Sequence, residues 1–163
     1  MFQEAALERD LSIKANVPHP LPEFSGDRDR IMQVFMNLVD NAIKYSPKHT
    51  EIEIGAIKNE TELIVSITDQ GHGVPADKQK LIFQKFAQLE HPDDQVDRGL
   101  GLGLSIAQEI VQSYGGRLWL KSRSDKGSTF YFAIPLPEFD EPKIVTDVTA
   151  PYLPVKTVST VES

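Results

Sequence analysis

Two asparagines and a lysine in the stretch NLVDNAIKYSP have side chains that could bind a metal ion and phosphate groups. If the stretch is a helix, Asn37, Asn41 and Lys44 share a face about 130° from its apolar stripe. Amide oxygens can ligate a hard cation such as magnesium, which often carries phosphate oxygens as well. Asparagine is a poor helix former, so its repetition on one face needs an explanation. By itself, the pattern also fits an ordinary solvated face.

A second candidate is the sequence DQGHGVP, which follows an apolar strand. Asp69 at the strand end could accept a hydrogen bond from an exocyclic amine such as that of adenine. Gly71 and Gly73 permit close backbone approach, so a flat ligand could lie against them. A plain turn between a strand and a helix explains the segment equally well when it is considered alone.

The third candidate is a glycine run, RGLGLGLSIAQEI, that precedes a helix. Glycines 99, 101 and 103 would expose backbone N–H groups at the positive end of that helix, which favours anions. The run contains neither GxxxxGK[ST] nor a full GxGxxG after a strand, so P-loop and Rossmann sites lack support. The later sequence KGSTFYF is typical of a hairpin strand.

Composition limits the remaining chemistry. The 163 residues include no cysteine, and the four histidines show no metal-ligand spacing, so we expect no disulfide and no structural metal. A net charge of −7 argues against a nucleic-acid surface. No apolar run approaches the roughly 20 residues that cross a bilayer, and no signal peptide is evident. We expect a soluble, cytoplasmic chain without membrane contact, whose parent protein could be membrane-anchored.

Hydrophobic periodicity predicts an α+β fold. Mostly hairpin-connected strands with interspersed helices indicate a two-layer sandwich, in which a mixed, mostly antiparallel sheet carries helices on one face. The predicted strands are 11–17, 51–58, 62–69, 117–123 and 128–135, and the predicted helices are 28–45, a short one at 76–86, and one from the glycine run to Gly115.

Residues 138–163 differ in character from the domain predicted at residues 1–137. Prolines interrupt a stretch rich in valine and threonine, and its five acidic and two basic residues carry −3 of the net charge. The composition indicates an acidic tail or linker. Alternatively, it is an extended segment that docks on the domain or leads to another domain.

In order, these segments resemble the ATP-binding catalytic domain of two-component sensor histidine kinases, which has the Bergerat fold of the GHKL ATPase superfamily. The resemblance rests on five boxes in the right order and spacing, over about residues 1–137: QVFMNLVDNAIKYSP, DQGHGVP, IFQKF, GLGLGLSIAQEIV and GSTF. Each box is weak alone, whereas the ordered set is highly specific.

The resemblance implies an ATP site that contains magnesium. Asn41 would ligate Mg²⁺, Asn37 would lie close to the phosphates or the ion, and Lys44 would contact phosphate. The phosphates would be held at the start of the helix by the glycine run, comprising Gly99, Leu100, Gly101, Leu102, Gly103 and Leu104. Asp69 would bind the adenine amino group, and the other residues implied at the base are Tyr45, Gly71, Gly73 and, with a water, Thr129.

The resemblance also implies a mobile ATP lid at 87–98. Phe83 and Phe86 would anchor this lid to the domain, and Arg98 could reach the γ-phosphate. No other catalytic residue is identified, because these kinases phosphorylate a histidine in a separate dimerisation domain. None of the four histidines has the motif of that acceptor: His19, His49, His72 and His91.

The implied activity is therefore protein-histidine kinase activity that requires a partner. The partners would be the histidine-bearing dimerisation domain of the same parent and the receiver domain of a response regulator. The isolated chain would be monomeric, unable to autophosphorylate alone, and part of a homodimeric parent. Two alternatives are an anti-sigma-type protein-serine kinase and a pseudokinase module that only binds nucleotide.

Overall fold

A computed structural model describes residues 2–22, 26–88 and 100–137 of the chain. The described elements are three α-helices, five strands and one short 3₁₀ helix. In chain order they are α1 (Phe2–Glu8), β1 (Ser12–Asn16), α2 (Arg28–Tyr45), β2 (Glu51–Lys58), β3 (Glu62–Asp69), the 3₁₀ helix (Leu81–Phe83), α3 (Gly103–Ser113), β4 (Arg117–Ser122) and β5 (Ser128–Pro135).

The strands form one sheet in the order β1-β2-β3-β5-β4. Strand β1 pairs parallel with β2, and the other three pairings are antiparallel. The prediction of a mixed, mostly antiparallel sheet is therefore confirmed. Because β5 inserts between β3 and β4, the end of β3 lies directly beside the start of β5, where Asp69 pairs with Ser128.

One face of the sheet, the inner face, carries the hydrophobic core. Ile54, Ile67, Phe130 and Leu120 are register partners across β2, β3, β5 and β4, so they share this face. They pack with the apolar stripes of the helices, among them the buried α2 residues Val34, Leu38, Val39 and Ala42. The predicted placement of helices on one face is confirmed.

Helix α2 begins and ends where local chemistry requires. The Asp27 side chain accepts hydrogen bonds from the first-turn N–H groups of Asp29 and Arg30, which caps the helix. At the other end Ser46 is extended, as expected for a residue before proline. These boundaries match the predicted helix and fix which α2 side chains face away from the core.

Helices α2 and α3 are joined by hydrogen bonds near both ends of α3. The Asp27 N–H donates to the Tyr114 hydroxyl over 3.0 Å. The Asn37 amide Nδ2 donates to the Gly103 carbonyl, also over 3.0 Å. The two helices therefore run in opposite directions, and the middle of α2 meets the start of α3.

The predicted helix at 76–86 is wrong, because only Leu81–Phe83 has helical geometry and it is a single 3₁₀ turn. The segment has one buried apolar side chain in that turn, Ile82, and therefore lacks the stripe that stabilises a helix. Instead the Gln79 amide donates to the carbonyls of Val74 and Ser122 and holds the segment to the β4–β5 hairpin.

Residues 138–163 lie outside the described residues, so the predicted boundary after residue 137 stays a prediction. None of the helices in the described ranges combines the length and hydropathy that a membrane-spanning helix requires.

Candidate functional site

The predicted phosphate-binding residues of α2 lie beside the start of α3. Asn37 makes the link directly, since its Nδ2 donates to the carbonyl of Gly103, the first residue of α3. Part of the Asn37 amide is therefore used to hold two helices together. The structure thus places Asn37 beside the glycine run. It also gives the Asn37 side chain a structural role that the sequence did not reveal.

Asn41 and Lys44 lie further along the same side of α2, and both are half-buried. Within the described ranges, neither side chain forms a hydrogen bond or ion pair with another residue. The Lys44 Nζ atom lies 5.5 Å from the centre of the neighbouring Tyr45 ring, which is 48% exposed. An amide oxygen, an ammonium group and an aromatic ring therefore occur together on one helix face.

The start of α3 has no side-chain cap. Leu102 precedes the helix without donating or accepting a capping hydrogen bond, and the first turn contains no acidic residue. Among the described residues, no side chain accepts a hydrogen bond from the first N–H groups of α3, which carry the positive end of the helix dipole. Leu100 is 76% exposed, whereas Leu102 and Leu104 are half-buried, so only the first of these leucines projects largely into solvent.

Asp69 is a buried carboxylate with one oxygen fully engaged. Its side chain is 5% exposed, and Oδ1 accepts hydrogen bonds from the N–H groups of Gly71 (2.8 Å) and Ser128 (3.2 Å). Burial raises the pKa of Asp69 above its ordinary value, and the two N–H groups oppose this shift. Oδ2 accepts no hydrogen bond from any described residue, so it can accept one from a ligand.

Gly71 and Gly73 are required by contacts within the protein. A Cβ atom on Gly71 would lie 2.6 Å from the Tyr45 carbonyl oxygen, where the end of β3 approaches the end of α2. Gly73 has φ +72°, and a Cβ there would lie 2.0 Å from the Arg123 carbonyl oxygen. The sequence predicted that these glycines let a base pack against the backbone, and the structure adds that the fold itself excludes larger residues.

The structure does not support the prediction that Thr129 assists the Asp69 carboxylate, although both residues line one cavity. Alternate residues of β5 point to opposite faces, and the Thr129 hydroxyl instead lies 3.1 Å from that of Thr68 on the other face. Ser128 takes the expected place: it is buried, it pairs with Asp69, and its N–H bonds to the carboxylate. The period of two along β5 was the signal that could have identified Ser128.

A cavity of about 500 Å³ lies at the β4–β5 hairpin end of the sheet. It is lined by Asp69 and Ser128 together with Lys121, Arg123 and Lys126, and neither Asn41 nor Lys44 belongs to its wall. This cavity therefore contacts only the Asp69 end of the candidate site.

The two phenylalanines predicted to anchor the lid behave differently. Phe83 packs against the core, whereas Phe86 is 70% exposed and has φ +65°, so the prediction of an anchoring Phe86 ring is wrong. The backbone of Phe86, and not its ring, contacts the glycine run: its N–H donates to the Gly101 carbonyl over 3.0 Å. Arg98, Gly99 and most of the predicted lid lie outside the described residues.

Comparison with known proteins gives a consistent result. Residues 26–138 match the family model described as histidine kinase-, DNA gyrase B- and HSP90-like ATPase. The chain is 42% identical over 137 residues to the adaptive-response sensory kinase SasA of Synechocystis sp., which covers 83% of this chain and 35% of the relative. SasA of Synechococcus elongatus is 41% identical and covers 78% and 33%, respectively. The chain thus spans about a third of the length of the curated relatives it matches.

Solved structures show the same similarity in three dimensions. The catalytic domain of the histidine kinase ThkA superposes with a TM-score of 0.71 at 30% identity and covers 82% of this chain and 86% of that one. Full-length ShkA in complex with AMPPNP superposes with a TM-score of 0.70 at 27% identity and covers 82% of this chain and 27% of that one.

Proposed function

This chain belongs to the histidine kinase-, DNA gyrase B- and HSP90-like ATPase family, and we propose that it holds magnesium-ATP between α2, the start of α3 and the end of β3. It is an ATP-binding catalytic domain of the histidine kinase type. The observation that carries the proposal is the Asn37–Gly103 hydrogen bond, which places the polar side of α2 beside the uncapped start of α3.

The base of the nucleotide is recognised by Asp69. Its free Oδ2 accepts the adenine amino group, while the N–H groups of Gly71 and Ser128 keep Oδ1 in place. The Ser128 hydroxyl, whose residue pairs with Asp69, would hold a bridging water in place of the Thr129 hydroxyl. Tyr45, at the end of α2, borders the same site through the contact of its carbonyl with Gly71.

The phosphates bind between Lys44 and the first N–H groups of α3, because both carry positive charge. Asn41 fits a magnesium ligand, since its amide oxygen has no described partner and suits a hard cation that shares phosphate oxygens. No group of three histidine, aspartate or glutamate side chains in the described ranges offers a competing metal site. A bound Mg²⁺ would supply charge neutralisation of the phosphate chain.

The reaction is transfer of the γ-phosphoryl group to a histidine on a separate dimerisation domain, for relay to a receiver domain of a response regulator. Phosphoryl transfer depends mainly on positioning and on charge stabilisation, and the described site supplies both. The names of the relatives, sensory kinases three times as long as the matched region, support a partner domain. The AMPPNP complex of ShkA supports the choice of ATP. A γ-phosphate contact from Arg98 stays a prediction.

Calorimetry of magnesium-ATP binding tests the site. We expect Asn41→Asp and Asp69→Asn to abolish measurable binding while the domain stays folded. Asn41→Asp places a negative charge beside the phosphates, and Asp69→Asn places a hydrogen-bond donor beside the adenine amino group. Gln33→Glu on the exposed side of α2 and Asp77→Asn in an exposed turn are charge-matched controls that should bind normally. Unchanged affinity in both site variants would overturn the assignment.

The acceptor is tested with γ-labelled ATP, this chain and a histidine-bearing dimerisation domain from the same parent. Acid-labile label on the partner supports a histidine kinase. Acid-stable label indicates a protein-serine kinase instead. Nucleotide binding with no label on any partner indicates a module that signals by binding alone, so both of these outcomes contradict the proposal.

A further inference from the structure

Three polar side chains form a row across the end of the inner face of the sheet. Asp69 of β3, Ser128 of β5 and Ser122 of β4 are successive register partners, so their side chains point to the same face. All three residues also line the cavity at the β4–β5 hairpin. None of the sequence motifs includes Ser122, yet it is the direct neighbour of Ser128 in this row.

The Ser122 hydroxyl has three hydrogen-bond partners, which together determine the direction of each bond. It accepts from the Val74 N–H over 2.7 Å and donates to the Gly127 carbonyl over 3.0 Å. The Ser128 hydroxyl oxygen, also 3.0 Å away, is the third partner. An N–H group only donates and a carbonyl only accepts, so the single Ser122 proton is used on Gly127. The Ser128 hydroxyl therefore donates to Ser122.

This direction leaves the Ser128 oxygen with only lone pairs for a further partner. The free Oδ2 atom of the Asp69 carboxylate likewise only accepts. Register partners on one face of a sheet have Cβ atoms about 5 Å apart, a gap that one water can span. A water that bridges Ser128 and Asp69 donates both of its protons to them, so its own lone pairs face the base. The base end then offers hydrogen-bond acceptors and no donor from these groups.

We propose that Ser122 is a positioning residue that makes the base end selective for an amino group, because it fixes the direction of the Ser128 hydroxyl. This inference rests on the proposed function, since it concerns how the same site recognises the base. The adenine amino group has two protons, which suit two acceptors. Hypoxanthine carries a carbonyl oxygen at that position, and this oxygen would face only lone pairs.

Substitution of Ser122 should reduce the selectivity for adenine. Without the Ser122 hydroxyl, the Ser128 hydroxyl can turn and donate to the water, which frees one water proton for a carbonyl oxygen. Calorimetry with magnesium-ATP, and displacement of ATP by magnesium-ITP, which carries hypoxanthine, measure the two affinities. Ser122→Ala should weaken ATP binding about threefold, as expected for one lost hydrogen bond, and leave ITP binding unchanged. Ser122→Thr keeps the hydroxyl and should restore the wild-type preference for ATP.

Gln79→Ala is the matched control for a loosened hairpin. The Gln79 amide donates to the carbonyls of Val74 and Ser122 over 3.1 Å each, so it joins the same segments through backbone groups. This variant should weaken ATP and ITP by equal factors and leave the preference unchanged. Circular dichroism verifies that each variant is folded. If Ser122→Ala does not fold, Ser122→Cys replaces it, because a thiol fills the space and forms only weak hydrogen bonds.

A double-variant cycle tests whether Ser122 acts through the Ser128 hydroxyl. Once Ser128→Ala has removed that hydroxyl, adding Ser122→Ala should not change the preference for ATP over ITP any further. A purely structural role of Ser122 would give the same additional effect in both backgrounds. A further loss of preference in the double variant would therefore contradict the inference.

Two other results would overturn the inference, and one variant separates them from failure of the proposed function. Equal losses of ATP and ITP affinity in Ser122→Ala would show that Ser122 only supports the hairpin. Unchanged affinities for both nucleotides would show that it does not influence the base end. Asp69→Asn is measured in the same series: if it abolishes ATP binding, such results refute the role of Ser122 alone. If Asp69→Asn binds ATP like the wild-type chain, the site assignment is wrong and the inference fails with it.

Discussion

The two ends of the nucleotide site are built differently. The base end comprises Asp69, Gly71, Gly73 and Ser128. Here the N–H groups of Gly71 and Ser128 bond to the Asp69 carboxylate, and the two glycines lie close to the backbone of neighbouring segments. At the phosphate end, which comprises Asn41, Lys44 and the start of α3, neither of the two side chains forms a hydrogen bond or ion pair with a described residue, and no described side chain caps the helix. One end is part of the folded core, and the other is a surface that nucleotide would complete.

This difference indicates how the two tasks of the site are divided. The base end binds a neutral, flat group, and a pre-formed buried acceptor discriminates well between such groups. The phosphate end binds a highly charged chain. Because its side chains form no hydrogen bonds or ion pairs with described residues, none of these has to be broken when the phosphates bind. Substitutions at the base end should therefore change stability as well as affinity, whereas those at the phosphate end should change affinity alone.

The largest difference between the ends should appear in glycine substitutions. Gly73→Ala should lower the free energy of unfolding by roughly 3 kcal/mol, through left-handed strain and overlap with Arg123. Gly103→Ala should change it by less than about 0.5 kcal/mol, because its Cβ would sit at an ordinary 3.4 Å from Asn37. Urea unfolding of both variants measures this, and equal destabilisation would contradict the comparison.

The second prediction uses the pH dependence of stability in Asp69→Asn. Because the pKa of Asp69 is raised, the carboxyl favours the folded state only while protonated, and this stability is lost as pH rises from its ordinary value of 3.8 through the raised value. Asparagine cannot ionise. The variant should therefore gain stability relative to wild type across that window and keep the gain above it. Urea unfolding between pH 3 and 7 checks the sign, and a constant difference would refute it.

The third prediction separates the ends by ligand. Lys44→Gln should weaken ATP binding about tenfold, or about 1.4 kcal/mol, because a charged contact to phosphate is lost. Binding of adenosine, which has no phosphate, should not change. Calorimetry with both ligands tests this, and Lys48→Gln beyond the end of α2 is the matched control. Equal weakening of ATP and adenosine would show that Lys44 supports the base end instead.

The smallest effect is expected for the neighbouring hydroxyls of β5. Ser128→Ala should weaken nucleotide binding about threefold, as expected when one water-mediated hydrogen bond is lost. Thr129→Val should leave affinity unchanged, because the Thr129 hydroxyl bonds to that of Thr68 on the face of the sheet opposite Asp69. The reverse order of effects would restore the original assignment of Thr129.

Much of the fold could be predicted from the sequence because its signals are local. The apolar stripe of α2, the Asp27 cap and the proline after Ser46 define that helix completely. The hairpin turns and the alternation along β2 to β5 define the strands. The candidate residues Asn37 and Asp69 were identified by residue type, and the structure brings each beside a glycine of the predicted boxes.

The errors arose where a side chain's direction depends on its neighbours. Thr129 was chosen because of the motif. Since Asp69 pairs with Ser128, the hydroxyl of Thr129 lies on the face of the sheet opposite Asp69. Phe86 was expected from the resemblance to anchor the lid, but its ring is 70% exposed and its backbone has a positive φ. The segment 76–86 has charged residues typical of helices, yet Gln79 bonds to a distant hairpin instead.

The paired hydrogen bonds between α2 and α3 have a mechanical consequence. Asp27 and Asn37 are ten residues apart on one helix, and Tyr114 and Gly103 are eleven apart on the other. Each spacing corresponds to about 15 Å along a helix axis, so the two hydrogen bonds connect α2 and α3 at two points about 15 Å apart. Sliding one helix along the other would break both bonds, and such shear is a common response of packed helices to ligands. If phosphate binding displaces α3, we therefore expect α2 to move together with it.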